Sequence, residues 1–177
     1  MKGKHPYAEC PVYTTAHFLV RLVEKEDGED LLRCYSDPSA VRLMNADNCD
    51  TDFHFETLDA MNDYLKGWLN AYQASAFVRF AIIDSQHEQA IGTIEMYDKT
   101  RKLGILRLDL CSTYERQEYI RELLQLAIEN FYKAFGVQQI AIKAILAAAE
   151  RISALRECGF APAERHVNGP YGDYYLR

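Results

Sequence analysis

Apolar residues recur at helical spacing over three stretches of this chain and crowd into short runs of strand length between them. From Thr57, the positions Leu58, Met61, Tyr64, Leu65, Trp68, Leu69 and Tyr72 follow the i, i+3, i+4, i+7 rule and predict an amphipathic helix. Ile120, Leu123, Leu124, Ala127, Ile128 and Phe131 form a second stripe, closed by Gly136. A third helix is predicted over 147–158, stopping at Gly159. Runs rich in branched and aromatic residues predict strands at 17–23, 77–83, 90–97, 105–111 and 137–145. Two terminal strands follow Phe160, the last at 173–176.

The remaining polar segments punctuate this pattern. The acidic cluster 24–30 suits the positive end of a helix whose buried face is Leu31, Leu32 and Tyr35. Ser36-Asp37-Pro38 places a capping residue ahead of a proline, which starts a short helix through Met44. Residues 45–55 read as a loop. The turns 84–86 and 98–104 join three consecutive strands into an antiparallel meander. The strand, helix, strand order over 106–145 implies one parallel pair within that sheet. The expected fold is therefore α/β (α+β): a mixed, mostly antiparallel central sheet with helices on both faces.

Alternation along the meander puts Thr93, Glu95 and Tyr97 on one face, and Arg107, Asp109 and Cys111 on one face of the next strand. If the turn pairs Tyr97 with Ile105, Glu95 lies opposite Arg107. An exposed cross-strand ion pair of that kind contributes well under ~1 kcal/mol.

Composition narrows the classes of function. The 177 residues, 49% of them hydrophobic, suit a single domain over 1–177 with a substantial core. A net charge of -6 gives no basic footprint for nucleic acid or an anionic membrane. Residues 1–10 carry Lys2 and Lys4 without a following apolar run, and no later run is long enough to span a bilayer, so a cytoplasmic location is expected. The five cysteines are odd in number and widely spaced, and neither they nor the five histidines have zinc-ligand spacing. Asn45-Ala46-Asp47-Asn48-Cys49-Asp50-Thr51-Asp52 is acidic but lacks the glycine and terminal glutamate of a calcium loop. No metal is expected.

Phe18-Leu19-Val20-Arg21-Leu22 followed by Ser36-Asp37-Pro38, Gln89-Ala90-Ile91-Gly92-Thr93-Ile94, and Leu155-Arg156-Glu157-Cys158-Gly159-Phe160 occur in an order and spacing that resemble the GNAT acetyltransferases, specifically the ribosomal-protein-alanine type. The resemblance covers nearly the whole chain. It implies a strand that ends, splays from its neighbour and turns through a glycine-containing loop into a helix N-terminus that receives the acetyl-CoA pyrophosphate. Such a terminus stabilises anions through its free N–H groups and its dipole. On this alignment Leu110, Cys111, Arg116, Gln117, Glu118, Tyr119, Ile120 and Arg121 hold the cofactor.

The chain departs from the family pattern at that loop. Glu115 stands where Arg or Gln is usual, Glu118 at the first glycine and Ile120 at the second. A carboxylate about 4 Å from a phosphate charge is unfavourable by roughly 1 kcal/mol in water and roughly 4 at a protein surface. Arg116 and Arg121 are the cations that would offset it. Ala148 replaces an asparagine that contacts pantetheine, and Leu155 replaces a tyrosine acid.

What the resemblance implies is acetyl transfer from the thioester of acetyl-CoA to a primary amine, of a small molecule or a protein N-terminus, with Glu95 as base. Tyr97 and Tyr114 are the alternative candidates for the acid, on the residues alone. The amine would enter beside the early helices and the loop 45–55. The alternative is a catalytically silent GNAT-like domain that binds another ligand or a partner and does not hold CoA in the usual way. A third reading is a structural role within a homodimer.

Overall fold

The computed structural model describes residues 5–100 and 102–177, so Lys2, Lys4 and the Arg101 part of the predicted 98–104 turn lie outside the described residues. Its frame is one eight-stranded sheet in the order β1-β2-β3-β4-β5-β6-β8-β7. The strands are β1 (Tyr13–Thr14), β2 (Phe18–Leu22), β3 (Val78–Asp84), β4 (Gln89–Thr100), β5 (Leu103–Leu110), β6 (Gln139–Lys143), β7 (Ala161–Pro162) and β8 (Tyr174–Leu176). β5 and β6 are parallel and every other neighbouring pair is antiparallel. The mixed, mostly antiparallel sheet expected from the element order is the sheet observed.

Five helices cover it: α1 (Gly28–Tyr35), α2 (Pro38–Val41), α3 (Leu58–Gln73), α4 (Gln117–Phe135) and α5 (Ala149–Glu157). Their ends follow the local chemistry. The Asp37 carboxylate accepts from the Ser39 amide with Pro38 in the first turn, and the Thr57 hydroxyl accepts from the Ala60 amide. Gly136 closes α4 at φ 66°, a left-handed conformation that glycine adopts without steric cost. The acidic cluster does not enter α1 directly. Lys25–Asp27 first make a 3₁₀ turn in which the Glu24 and Asp27 carboxylates cap each other's backbone. The short helix expected to run through Met44 stops at Val41.

Strand alternation divides the core in two. Val78, Phe80, Ile82, Ile94, Met96, Leu106, Leu108 and Leu110 pack with α4 and α5. Ala81 and Ile83 face the other way, against Leu31 and Tyr35 of α1 and Met61, Leu65 and Trp68 of α3. A bulge at Ile91 resets the phase of β4, since Ile82 pairs with Gly92 but Ile83 pairs with Ala90. Gly92, at φ 153°, is required there: a Cβ would stand 2.0 Å from the Asp109 carbonyl oxygen.

Two features of the sheet position the candidate site. β5 and β6 pair only from Leu103 with Gln139 to Leu106 with Ile142, although β5 continues to Leu110. Beyond Leu106 they part. The loop after α2 is fastened across the sheet by Lys143, whose Nζ donates to both Asp47 carboxylate oxygens at 2.7 and 2.9 Å, and by Asn45, whose amide donates to the Tyr174 hydroxyl. No helix of the described residues is long and apolar enough to cross a membrane.

Candidate functional site

The register pairs Tyr97 with Ile105, so Glu95 lies opposite Arg107. The pair is not solvated. Glu95 is 1% exposed and Arg107 6%. The closer partner is Arg79 of β3, directly across from Glu95 on its other side, whose Nε donates to Glu95 Oε2 at 3.0 Å. Arg79 Nη1 donates to Asp109 Oδ2 at 3.1 Å, and the Tyr35 hydroxyl donates to the same oxygen at 2.9 Å. Thr93 Oγ1 joins the network 2.9 Å from Tyr35.

Five buried polar side chains from three adjacent strands thus lie under α1 and α3. Burial opposes the charge on Arg79, but Glu95, Tyr35 and Asp109 outweigh it and hold its pKa above the ordinary arginine value. Burial pushes the Asp109 carboxyl up, with Arg79 and Tyr35 pulling against it. Arg79 also stacks over the Trp68 ring at 4.2 Å. The sequence offered one signal for it: a charge in the middle of an apolar central strand demands a partner.

A cavity of about 530 Å³ opens onto this network. Phe53, Tyr64, Trp68, Phe77 and Tyr97 give it aromatic walls, while Glu95 and Arg107 stand at its floor. Phe53 holds a left-handed φ of 62°, a strained conformation for a bulky residue, and its ring is buried against Tyr35. Glu95 and Tyr97 are therefore brought together at one cavity, beside α3 and the loop after α2. Burial raises the Tyr97 pKa, against the pull of Arg107.

The other named positions gather on a different side, where β5 leaves β6. Arg151 of α5 occupies that gap. Its Nε and Nη2 each donate to a Glu115 carboxylate oxygen at 2.7 Å, and its Nη1 donates to the Leu108 carbonyl at 2.8 Å. The guanidinium is buried. Desolvation opposes its charge, but Glu115 more than compensates and raises its pKa. Glu150 closes the neighbouring helix end: its Oε2 accepts from the Gln117 amide, the first of α4, at 2.8 Å. A carboxylate of the chain itself sits where a helix N-terminus attracts anions.

The loop residues follow suit. Glu118 is exposed in the first turn of α4, on the side facing residues 12–17 of the β1–β2 hairpin, and Ile120 is buried in the core. Tyr119 packs edge-on against Phe18 and His17. Arg116 is the exposed cap of α4, and Arg121 reaches Glu157 at 3.4 Å. Leu110 is buried in the core, and the Cys111 amide donates to the Ile91 carbonyl at 2.8 Å. The Cys111 thiol is pulled below its ordinary pKa by a hydrogen bond from Cys34. Ala148 and Leu155 are both buried. Between Ser112, Glu115 and 147–150 there remains a cavity of about 250 Å³, with Glu115 and Glu150 in its wall. Ligand pockets span roughly 300–1,000 Å³.

Residues 17–161 match the family model of the acetyltransferase (GNAT) domain. The chain belongs to the GNAT acetyltransferase family. No curated protein sequence matches it. Among solved structures, the GNAT chain is similar to the ribosomal-protein-S5-alanine acetyltransferase from Vibrio fischeri, at TM-score 0.69 and 19% identity over 94% of each chain. A GNAT-family acetyltransferase from Bacillus anthracis superposes at TM-score 0.72 and 14% identity, covering 94% of this chain and 98% of that one. The spermidine N-acetyltransferase from Vibrio cholerae, solved with CoA and spermine, gives TM-score 0.67 and 15% identity over 92% and 94%. At these identities the likeness is one of fold.

Acetyl-CoA fits the residues of this chain poorly. The gap between β5 and β6 contains a buried guanidinium each of whose three nitrogens donates a hydrogen bond, and the first amide of α4 is taken by the Glu150 carboxylate. No group of three or more acidic, histidine or cysteine residues able to hold a metal occurs among the described residues.

Proposed function

We propose that this GNAT chain is a ligand-binding domain that does not hold acetyl-CoA in the loop-and-gap manner, and that its working site is the aromatic cavity ending on Glu95 and Arg107. The observation that carries this reading is Arg151, which fills the strand gap with three hydrogen bonds to Glu115 and Leu108. To admit pantetheine there, the chain would have to break a buried ion pair, which costs about 3–5 kcal/mol when one partner is left behind. The pyrophosphate would then compete with Glu150 for the α4 terminus.

A second reading has its own support. An acetyl-CoA-dependent N-acetyltransferase acting on a small-molecule or peptide amine would use the same cavity for the amine. Glu95 Oε1, which accepts no hydrogen bond, is then the base and Tyr97 the acid, while Leu110, Cys111 and residues 116–121 hold acetyl-CoA.

Calorimetric titration with acetyl-CoA, followed by mass spectrometry of an amine panel incubated with protein and acetyl-CoA, separates the two. The first reading expects no saturable heat up to about 1 mM and no acetylated amine. Micromolar binding with acetyl transfer to any amine overturns it in favour of the second.

A further inference from the structure

The aromatic cavity has an unusual floor. Three buried side-chain atoms of this cluster make no hydrogen bond: Glu95 Oε1 and Arg107 Nε, whose residues line the cavity, and Asp109 Oδ1, whose residue lies behind it. Glu95 Oε2 accepts from Arg79, and Arg107 donates through Nη1 to Cys49 Sγ at 3.1 Å and through Nη2 to the Asp47 carbonyl. Only a 3.3 Å charge contact, from Arg107 Nη1, reaches Glu95 Oε1. Buried polar atoms are rarely left without partners, and those that are point to a missing group.

The charges around Glu95 Oε1 and Arg107 Nε balance. Arg79 and Arg107 face Glu95 and Asp109, so the floor carries no net charge to offer an ion. A cationic tip would approach two guanidinium groups, and an anionic tip would approach Glu95. What the floor lacks is one donor for Glu95 Oε1 and one acceptor for Arg107 Nε. The walls of Trp68, Phe77, Tyr64 and Phe53 add flat apolar surface.

Resting on the reading of this cavity as the working site, we propose that it binds a small molecule with a planar apolar body and an uncharged tip that donates and accepts side by side, a carboxamide or a lactam. Its N–H meets Glu95 Oε1 and its C=O meets Arg107 Nε. Neither orphan atom is then left dry and unpaired.

Trp68 is the sole tryptophan of the chain and lines the cavity, so its fluorescence reports occupancy. The probes are 3-phenylpropanamide, 3-phenylpropylamine and 3-phenylpropanoate, which share a body and differ in the tip. The amide is expected to change Trp68 emission saturably and to bind at least about tenfold more tightly than either ion, because a buried site built for hydrogen bonds rejects tips that leave them unmade. Glu95→Gln should erase that preference. Ala76→Trp, at an exposed position on the cavity wall, leaves the floor untouched and should weaken the amide by about tenfold or more through steric filling alone. Tighter binding of the amine, tighter binding of the carboxylate, or no saturable response to any probe overturns the proposal. Acetyl-CoA binding in the calorimeter overturns the broader reading and leaves the amide preference standing, so the two failures are distinguishable.

Discussion

The two sides of the GNAT sheet centre treat buried charge in opposite ways. In the gap between β5 and β6, Arg151, Glu115 and the Leu108 carbonyl satisfy one another, and Glu150 caps the adjoining helix. Beneath the aromatic cavity, Arg79, Arg107, Glu95 and Asp109 form an equally buried cluster that leaves Glu95 Oε1, Arg107 Nε and Asp109 Oδ1 without hydrogen-bond partners. The first arrangement is complete without a ligand. The second leaves buried polar atoms unpaired, and this difference is what supports the cavity as the proposed working site.

The largest effect is expected in the gap. Arg151→Ala abandons the largely buried Glu115 carboxylate and the Leu108 carbonyl, so denaturant unfolding should show a loss of about 3–5 kcal/mol. Replacing both partners, Glu115→Leu with Arg151→Met, should return stability to within about 1–2 kcal/mol of the original, since a buried pair is often no better than apolar contacts of similar shape. A double variant as unstable as Arg151→Ala would show that the pair does more than fill space.

In the cavity, Glu95→Gln keeps the shape but removes the charge facing Arg79 and Arg107. A loss of about 1–3 kcal/mol is expected in the same assay. Because Glu95 Oε1 already lacks a partner, this loss should be smaller than that of Arg151→Ala. The reverse order would break the contrast between a closed and an open cluster.

Much of this arrangement was legible in the sequence. Period-2 alternation and the short meander turns placed Glu95 against Arg107, and the strand, helix, strand order gave the parallel pair that must part at a GNAT loop. The departures from the family's loop pattern at Glu115, Glu118 and Ile120 are read from the sequence alone. Two arginines were missed. Arg79 sits in an apolar strand and Arg151 on the inner face of α5, and linear patterns do not show which distant carboxylate a buried cation will meet. The 16-residue spacing of Arg79 to Glu95 and the 36-residue spacing of Glu115 to Arg151 exist only through the sheet and the crossover. The burial of the Glu95–Arg107 pair was left open for a related reason: strand register fixes neighbours, whereas burial is fixed by the helices packed above.

Smaller effects sharpen the picture at the edges. Glu150→Ala removes an exposed carboxylate from the α4 terminus and should cost at most about 1 kcal/mol in unfolding, while leaving Arg151 in place. Away from both regions, Asp84 accepts from Tyr114 and from the Gln86 and His87 amides, and these bonds overcome desolvation to bring its pKa down to about 2. Its folded value lies below the ordinary value of about 3.9, so its stabilisation is present above pH ~4 and is lost as pH falls towards 2. Asp84→Asn should flatten the acid limb of the stability profile over that window and change neither cluster.

The most direct test follows the Gln117 backbone amide, the Arg151 Nε–H and the Trp68 indole N–H by nitrogen-15 NMR as acetyl-CoA is added to about 1 mM. The closed gap predicts that Gln117 and Arg151 keep their shifts, and that the same sample then responds at Trp68 when 3-phenylpropanamide is added. Saturating shifts of Gln117 and Arg151 with acetyl-CoA would contradict the account, because they would show that the gap opens to the cofactor.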